Sequence, residues 1–134
     1  MPQALPFETS LRVRFRDLDT LGHVNNAVFV SYVEVARVDF WAHVFGPVDV
    51  GSIDFFVARI EIDYRRPVRL GDTVRAGLGI EKLGNTSFTV RYVLSVGDDV
   101  VAEARTVQVF VDTATGTPKP VPAAFRERVA PYVL

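Results

Sequence analysis

The chain contains no cysteine, which removes disulfides, thiolate nucleophiles and cysteine-ligated zinc together and fits a reducing compartment. Lysine is scarce, so arginine carries almost all of the positive charge, and the net charge is only −1. No broad field therefore points to nucleic acid or to an anionic membrane surface. No apolar run reaches the ~18 residues needed to span a bilayer. The opening Met1-Pro-Gln-Ala-Leu-Pro lacks a basic stretch followed by an apolar one, so it does not read as a secretory signal. Internal repeats and low-complexity tracts are also missing. These absences lead to the expectation of a soluble cytoplasmic protein with neither nucleic acid nor membrane as a partner. The 134 residues suffice for one core and are too few for two, so a single domain over 1–134 is expected.

What is present is an ordinary globular composition with strong local patterning. Leu11, Val13 and Phe15 alternate with Arg12, Arg14 and Arg16, the period of a half-buried strand. From about Asn26 to Phe45 the alternation stops, and the few polar residues, Ser31, Glu34, Arg37, Asp39 and His43, are spaced as on a helix. Its many β-branched residues lower helix propensity, but its length favours a helix over a strand, and apolar residues nearly all round predict a buried helix. Gly46-Pro47 stops it. Four strands follow. Ile60, Ile62 and Tyr64 alternate with Arg59, Glu61, Asp63 and Arg65; Val74, Ala76, Leu78 and Ile80 with Arg75, Gly77, Gly79 and Glu81. Phe88, Val90, Tyr92, Leu94 and Val96 form the next apolar face, and a long strand runs from about Val100 to Val111. Short turns between them, Gly84-Asn85 and Gly97-Asp98-Asp99, imply an antiparallel meander. A short helix is expected over Ala123–Val129. One strand, one long helix and four strands make an α+β fold, read as a five-stranded antiparallel sheet wrapped around one central helix; the alternative is a helix lying across a flatter sheet.

The chemistry concentrates between the first strand and the long helix. Asp17, Asp19, Gly22, His23, Asn25 and Asn26 fall within ten residues, just ahead of a helix N-terminus. Such a terminus offers free backbone N–H groups and a partial positive charge, which polarise a carbonyl oxygen and stabilise the oxyanion formed on attack. A carboxylate beside them can activate water or attack the carbonyl itself. Other roles are open to the same residues. Asp17 and Asp19 can hold turn backbone, Asn25 or Asn26 can cap the helix, and Glu34 and Arg37 can pair across one turn. Asp39 and His43 are placed for a solvent-side pair. No further residues complete a metal shell around Asp17, Asp19 and His23, so no metal is expected.

The run Asp17-x-Asp19-x-x-Gly22-His23-Val24-Asn25-Asn26, followed by Glu34-x-x-Arg37, resembles the 4-hydroxybenzoyl-CoA thioesterase branch of the hot-dog superfamily. Ile62-Asp63-Tyr64-x-x-Pro67-x-x-x-Gly71-Asp72 and Gly84-Asn-Thr-Ser-Phe88 agree, so the likeness covers roughly residues 10–112. The resemblance implies hydrolysis of acyl-CoA thioesters, with Asp19 as general base or nucleophile. It implies that the backbone N–H of Asn26 polarises the thioester carbonyl; His23 is open to the roles of general acid, substrate contact or orienting group, and equally to that of a structural histidine. Gly22, Val24, Asn25 and Ala27 are then expected to line the substrate. Glu34 is read as part of the helix motif, not as a catalytic carboxylate. CoA enters as part of the substrate, and no separate cofactor is implied.

The resemblance also implies a homodimer, or a dimer of dimers, paired along the strand from Phe55 to Arg66. Phe56, Val57, Ala58 and Arg59 of one subunit would then wall the acyl pocket of the other, against Ala27, Val30 and Ser31. Arg65, Arg66, Arg69, Arg75 and Arg91 are candidates for the CoA phosphates. Two other readings are carried: an enoyl-thioester hydratase or dehydratase on the same fold, and a non-catalytic acyl-thioester binding protein.

Overall fold

The computed structural model describes residues 4–47 and 54–134; Met1–Gln3, read above as part of a non-signal terminus, lie outside them. The first strand, β1, spans Phe7–Arg12, earlier than the Leu11–Arg16 alternation suggested. Phe7, Thr9 and Leu11 carry its half-buried face. It ends where Phe15–Asp17 close a 3-10 turn. Val13 stays in the core, but Phe15, expected on the same apolar face, is 80% exposed. The alternation in sequence ran on into a turn.

The long helix, α1, spans Val28–Phe45. Gly46 ends it, adopting φ +85° while its N–H donates to the Ala42 carbonyl, a conformation that glycine enters without strain. Phe29, Tyr32, Val33, Ala36, Phe40, Trp41 and Val44 are buried. Their 3- and 4-residue spacing makes one face, and that packing, more than propensity, holds a helix so rich in β-branched residues. The helix is not buried all round, as its composition suggested. Ser31, Val35, Val38, Ala42 and Phe45 form an exposed stripe, because the sheet covers only one side.

The remaining strands are β2 (Phe55–Tyr64), β3 (Thr73–Leu83), β4 (Ser87–Val96) and β5 (Asp99–Phe110). The spatial order is β1-β3-β4-β5-β2, with every neighbour antiparallel. The register stacks inward residues in transverse rows, such as Phe7, Leu78, Tyr92, Ala104 and Ile62. These rows meet the buried face of α1 in one continuous core, which is the hot-dog arrangement. No helix among the described residues is long and apolar enough to cross a membrane.

The edge strand β2 departs from simple alternation. Val57 pairs with Gln108 and Arg59 with Val107, leaving Ala58 without a partner. This bulge lets residues of opposite parity share one face. Phe55 packs edge-on against Trp41, while Ile62 packs on the same core and Tyr64 lies edge-on to Phe29.

The final helix, α2 (Ala123–Val129), sets Phe125 against Trp41, Phe88 and Phe110. Arg128 donates to the Val44 carbonyl at the end of α1. The last residue then reaches β3, where the Leu134 N–H donates to the Ile80 carbonyl. Gly79 lies close beneath it, and a Cβ there, 2.7 Å from the Leu134 side chain, would make that side chain shift.

Two expected side-chain pairs do not form. Arg37 is buried and donates to the Tyr92 hydroxyl at 3.2 Å, which also meets Thr106 at 2.7 Å. Glu34 points outward on the exposed side. The Thr9 hydroxyl donates to Asp39 at 2.8 Å, while His43 lies against the rings of Phe7 and Tyr132.

Candidate active site

The segment between β1 and α1 is built around Asp17, only 2% exposed. One carboxylate oxygen accepts the Arg14 N–H at 2.9 Å and the Tyr32 hydroxyl at 2.7 Å. The other accepts the Arg14 guanidinium at 3.2 Å. Burial alone would push this carboxyl up, but the three hydrogen bonds outweigh it and hold it below the usual carboxylate range. Tyr32 is pushed up, first by burial and then by the carboxylate it serves. Because Tyr32 belongs to α1, this bond fastens the loop to the helix. The Asp17 carbonyl also accepts the Asn25 N–H at 2.8 Å, drawing the two ends of the loop together.

Between them lies a small hairpin. Leu18 and Val24 form an antiparallel bridge, the Asp19 N–H donates to the His23 carbonyl at 2.7 Å, and Gly22 turns the chain at φ +78°. The hairpin is anchored to the loop after β2. Val24 donates to the Val68 carbonyl at 2.7 Å, and His23 bridges Arg69. The Pro67-x-x-x-Gly71-Asp72 motif thus serves as a platform. Its Asp72 carboxylate accepts the Arg69 N–H at 2.9 Å.

Asp19 fills one of the roles open to it in the sequence, that of holding turn backbone. Its Oδ1 accepts the N–H groups of Leu21 at 2.9 Å and His23 at 3.2 Å. Its Oδ2 takes no hydrogen bond from the described residues. One oxygen is therefore fixed by backbone and the other is free. His23 is half-buried, and only its backbone is engaged among the described residues.

The entry to α1 lacks the expected cap, since its N-cap is Ala27 and no side chain bonds there. Asn25 instead organises the preceding turn. Its Oδ1 accepts the Ala27 N–H at 2.8 Å and its carbonyl accepts the Val28 N–H at 2.9 Å. The Asn26 N–H donates to no group among the described residues. A peptide plane whose carbonyl is tied down points its N–H the opposite way, so the Asn25–Asn26 peptide presents a fixed, unengaged donor. Tyr64, absent from the site residues expected from sequence, donates its hydroxyl to the Asn26 carbonyl at 2.7 Å. Its signal in sequence was a polar-tipped aromatic on an edge strand within the Ile62-Asp63-Tyr64 motif.

The chain therefore brings together Asp19, Gly22, His23, Val24, Asn25, Asn26 and Ala27. Phe56, Val57, Ala58 and Arg59 do not join them. They occupy the far end of β2, about 20 Å along the strand from Tyr64, where Arg59 pairs with Glu61 at 2.9 Å. Of the five arginine candidates, Arg65, Arg66, Arg75 and Arg91 are ion-paired to carboxylates. Arg69, on the platform, has no such partner among the described residues. No group of three His, Cys, Asp or Glu residues able to hold a metal is found among the described residues.

On this fold, a carboxylate with one oxygen unengaged among the described residues and an unengaged backbone N–H at a helix entrance are groups suited to attack on a thioester carbonyl. Residues 13–129 match the thioesterase-like superfamily, and the chain belongs to that family. It is 30% identical over 130 residues to the long-chain acyl-CoA thioesterase FadM of Escherichia coli, covering 94% of this chain and 98% of that one. A 1,4-dihydroxy-2-naphthoyl-CoA hydrolase of Synechococcus elongatus is 30% identical over 121 residues, covering 86% and 88%. Among solved structures, a thioesterase of Thermus thermophilus complexed with coenzyme A and zinc matches with a TM-score of 0.86 and 40% identity, over 96% of this chain and 94% of that one.

Proposed function

We propose that the protein hydrolyses acyl-CoA thioesters to the free acid and CoA. The observation that carries this reading is that one hydrogen-bonded loop holds two groups unengaged among the described residues, the Asp19 Oδ2 and the Asn26 N–H. The thioester oxygen would accept the Asn26 N–H at the positive end of α1, where negative charge developing on it is stabilised. Asp19 either takes a proton from the attacking water or attacks the carbonyl itself, giving an anhydride that water then opens. In both routes the C–S bond breaks and CoA leaves as the thiolate. No step calls on a cofactor. The acyl-CoA chemistry named for the relatives in E. coli and S. elongatus agrees. Arg69 is the arginine best placed to meet a CoA phosphate, since it stands beside His23 without a carboxylate of its own.

The working unit in this reading is a homodimer joined along β2. Two observations support it. First, β2 is a free edge, with Phe56 51%, Val57 40% and Ile60 38% exposed, and such edges are normally paired or protected. Second, the open stripe Ser31, Val35, Val38, Ala42 and Phe45 repeats at intervals of 4, 3, 4 and 3, the spacing of a helix that packs against another helix. A two-fold axis through β2 reverses the partner strand. That reversal carries the partner's first half of β2 toward this chain's Tyr64 and Asn26. Phe56, Val57, Ala58 and Arg59 would then wall the acyl pocket across the interface, opposite Ala27, Val30 and Ser31.

The deciding assay is release of free CoA from a panel of saturated and aromatic acyl-CoAs, followed with a thiol dye. Release identifies a hydrolase and ranks its acyl preference. Hydration of an enoyl-CoA without CoA release would establish the hydratase reading, and binding without turnover the carrier reading.

A further inference from the structure

We infer that Tyr64 is a positioning residue, whose hydroxyl fixes the Asn26 N–H in the orientation that polarises the substrate carbonyl. The inference rests on the hydrolase reading above and adds a residue to it. The Asn26 carbonyl stands one residue ahead of the α1 ladder, which starts from the Ala27 carbonyl; the nearby Val30 N–H donates to Ala27 at 3.2 Å. The Tyr64 hydroxyl supplies a donor to that carbonyl from β2, at 2.7 Å. The bond is well aimed because the ring is held independently. It lies edge-on to the buried Phe29, with centroids 5.2 Å apart and planes at 89°. The strand position is fixed in turn by the pairing of Tyr64 with Ala102.

The two peptides flanking Asn26 are thus both constrained. The one before it is held through the Asn25 carbonyl by Val28. The one after it is held at its N–H by the Asn25 side chain and at its carbonyl by Tyr64. The torsions of Asn26 have little freedom left, and its own N–H is the group that remains unengaged. A donor aligned in advance meets an oxyanion more strongly than it meets the ground-state carbonyl. Loosening it should therefore lower kcat and leave KM nearly unchanged. Tyr64 stands on the free edge of the sheet, so the same bond registers the catalytic loop to β2.

The test uses the full chain with Tyr64→Phe and Tyr64→Leu. Tyr64→Phe keeps the ring against Phe29 and removes only the hydroxyl. It should reduce kcat by about tenfold, with KM for acyl-CoA changed less than about twofold. Tyr64→Leu should lower Tm further and add little to the kcat loss. A packing role predicts the reverse order, with Phe equal to the wild type and Leu impaired. A Tyr64→Phe protein with kcat within twofold of the wild type overturns the inference. A second readout does not need turnover. In 1H–15N spectra, Tyr64→Phe should shift the Asn26 and Ala27 amide resonances and speed hydrogen exchange at Ala27, whose N–H is the one hydrogen-bonded. Unchanged resonances overturn the inference even if the wild type releases no CoA. Absence of CoA release together with shifted resonances retains the positioning bond and removes the hydrolase reading.

Discussion

Asp17→Asn separates the carboxylate that builds the loop from Asp19, the one proposed to react. Rotated to place its oxygen where Oδ2 now lies, the amide keeps the Arg14 N–H and the Tyr32 hydroxyl as donors. Both bonds lose their charge-assisted character, worth roughly 1 kcal/mol each. The amide NH2 then faces the Arg14 guanidinium, donor against donor, at a site 3% exposed, for about another 1 kcal/mol. The Arg14 ion pair adds only a few tenths of a kcal/mol (~0.3), because its partner side chain is 62% exposed. A loss of about 2–4 kcal/mol should lower Tm by roughly 6–12 °C in a chain of this size. The pH dependence follows from the lowered pKa. A carboxyl depressed on folding stabilises the native state at every pH above its unfolded value, about 3.9, and that contribution drains away as pH falls through the depressed value. The gap in Tm between wild type and variant, read by circular dichroism, should be full at pH 7 and pH 5 and narrow below about pH 4. A gap that is equal at pH 7 and pH 3, or smaller than about 1 °C at pH 7, would refute this account of the loop.

Asp19→Asn should behave oppositely: its amide oxygen can still accept from Leu21 and His23, so Tm holds, while kcat falls at least ~100-fold. Near-normal turnover by the folded variant would remove Asp19 from the chemistry. Light scattering at micromolar concentration should give a dimer or a dimer of dimers, and Val38→Asp, on the exposed stripe of α1, should shift it toward monomer; a monomeric wild type would end the shared-site reading. Ala58→Leu, at the β2 bulge, should shorten the preferred acyl chain with little change in Tm, since each buried CH2 is worth ~0.8 kcal/mol; an unchanged chain-length profile would place the acyl group elsewhere.

Much of this molecule is written in local pattern. The inward faces of β3 and β4, Val74 to Ile80 and Phe88 to Leu94, follow the period of two residue by residue, because each strand must hide one side. The stop at Gly46 and the hairpins need only the residues that form them. The loop motif could be located for the same reason: its unusual residues are neighbours in the chain. Three features needed the folded chain. The start of β1 at Phe7 depends on its pairing with Leu78 of β3, and the exposure of Phe15 accompanies the turn that sets Asp17 against Tyr32, a contact across fifteen positions. Composition and spacing show Asp17 and Asp19 only as two carboxylates in one turn, and the resemblance alone singled out Asp19; the fold sets them apart physically, one buried with three donors and the other with an oxygen that no described residue engages. Tyr64 lies thirty-eight residues from Asn26. Only the order of strands, with β2 at the edge and pairing β5, carries its hydroxyl to the start of α1. Pattern determines which face of an element is apolar; which distant polar atoms then meet is decided by how the elements stack, and the geometry of the candidate site belongs to that second category.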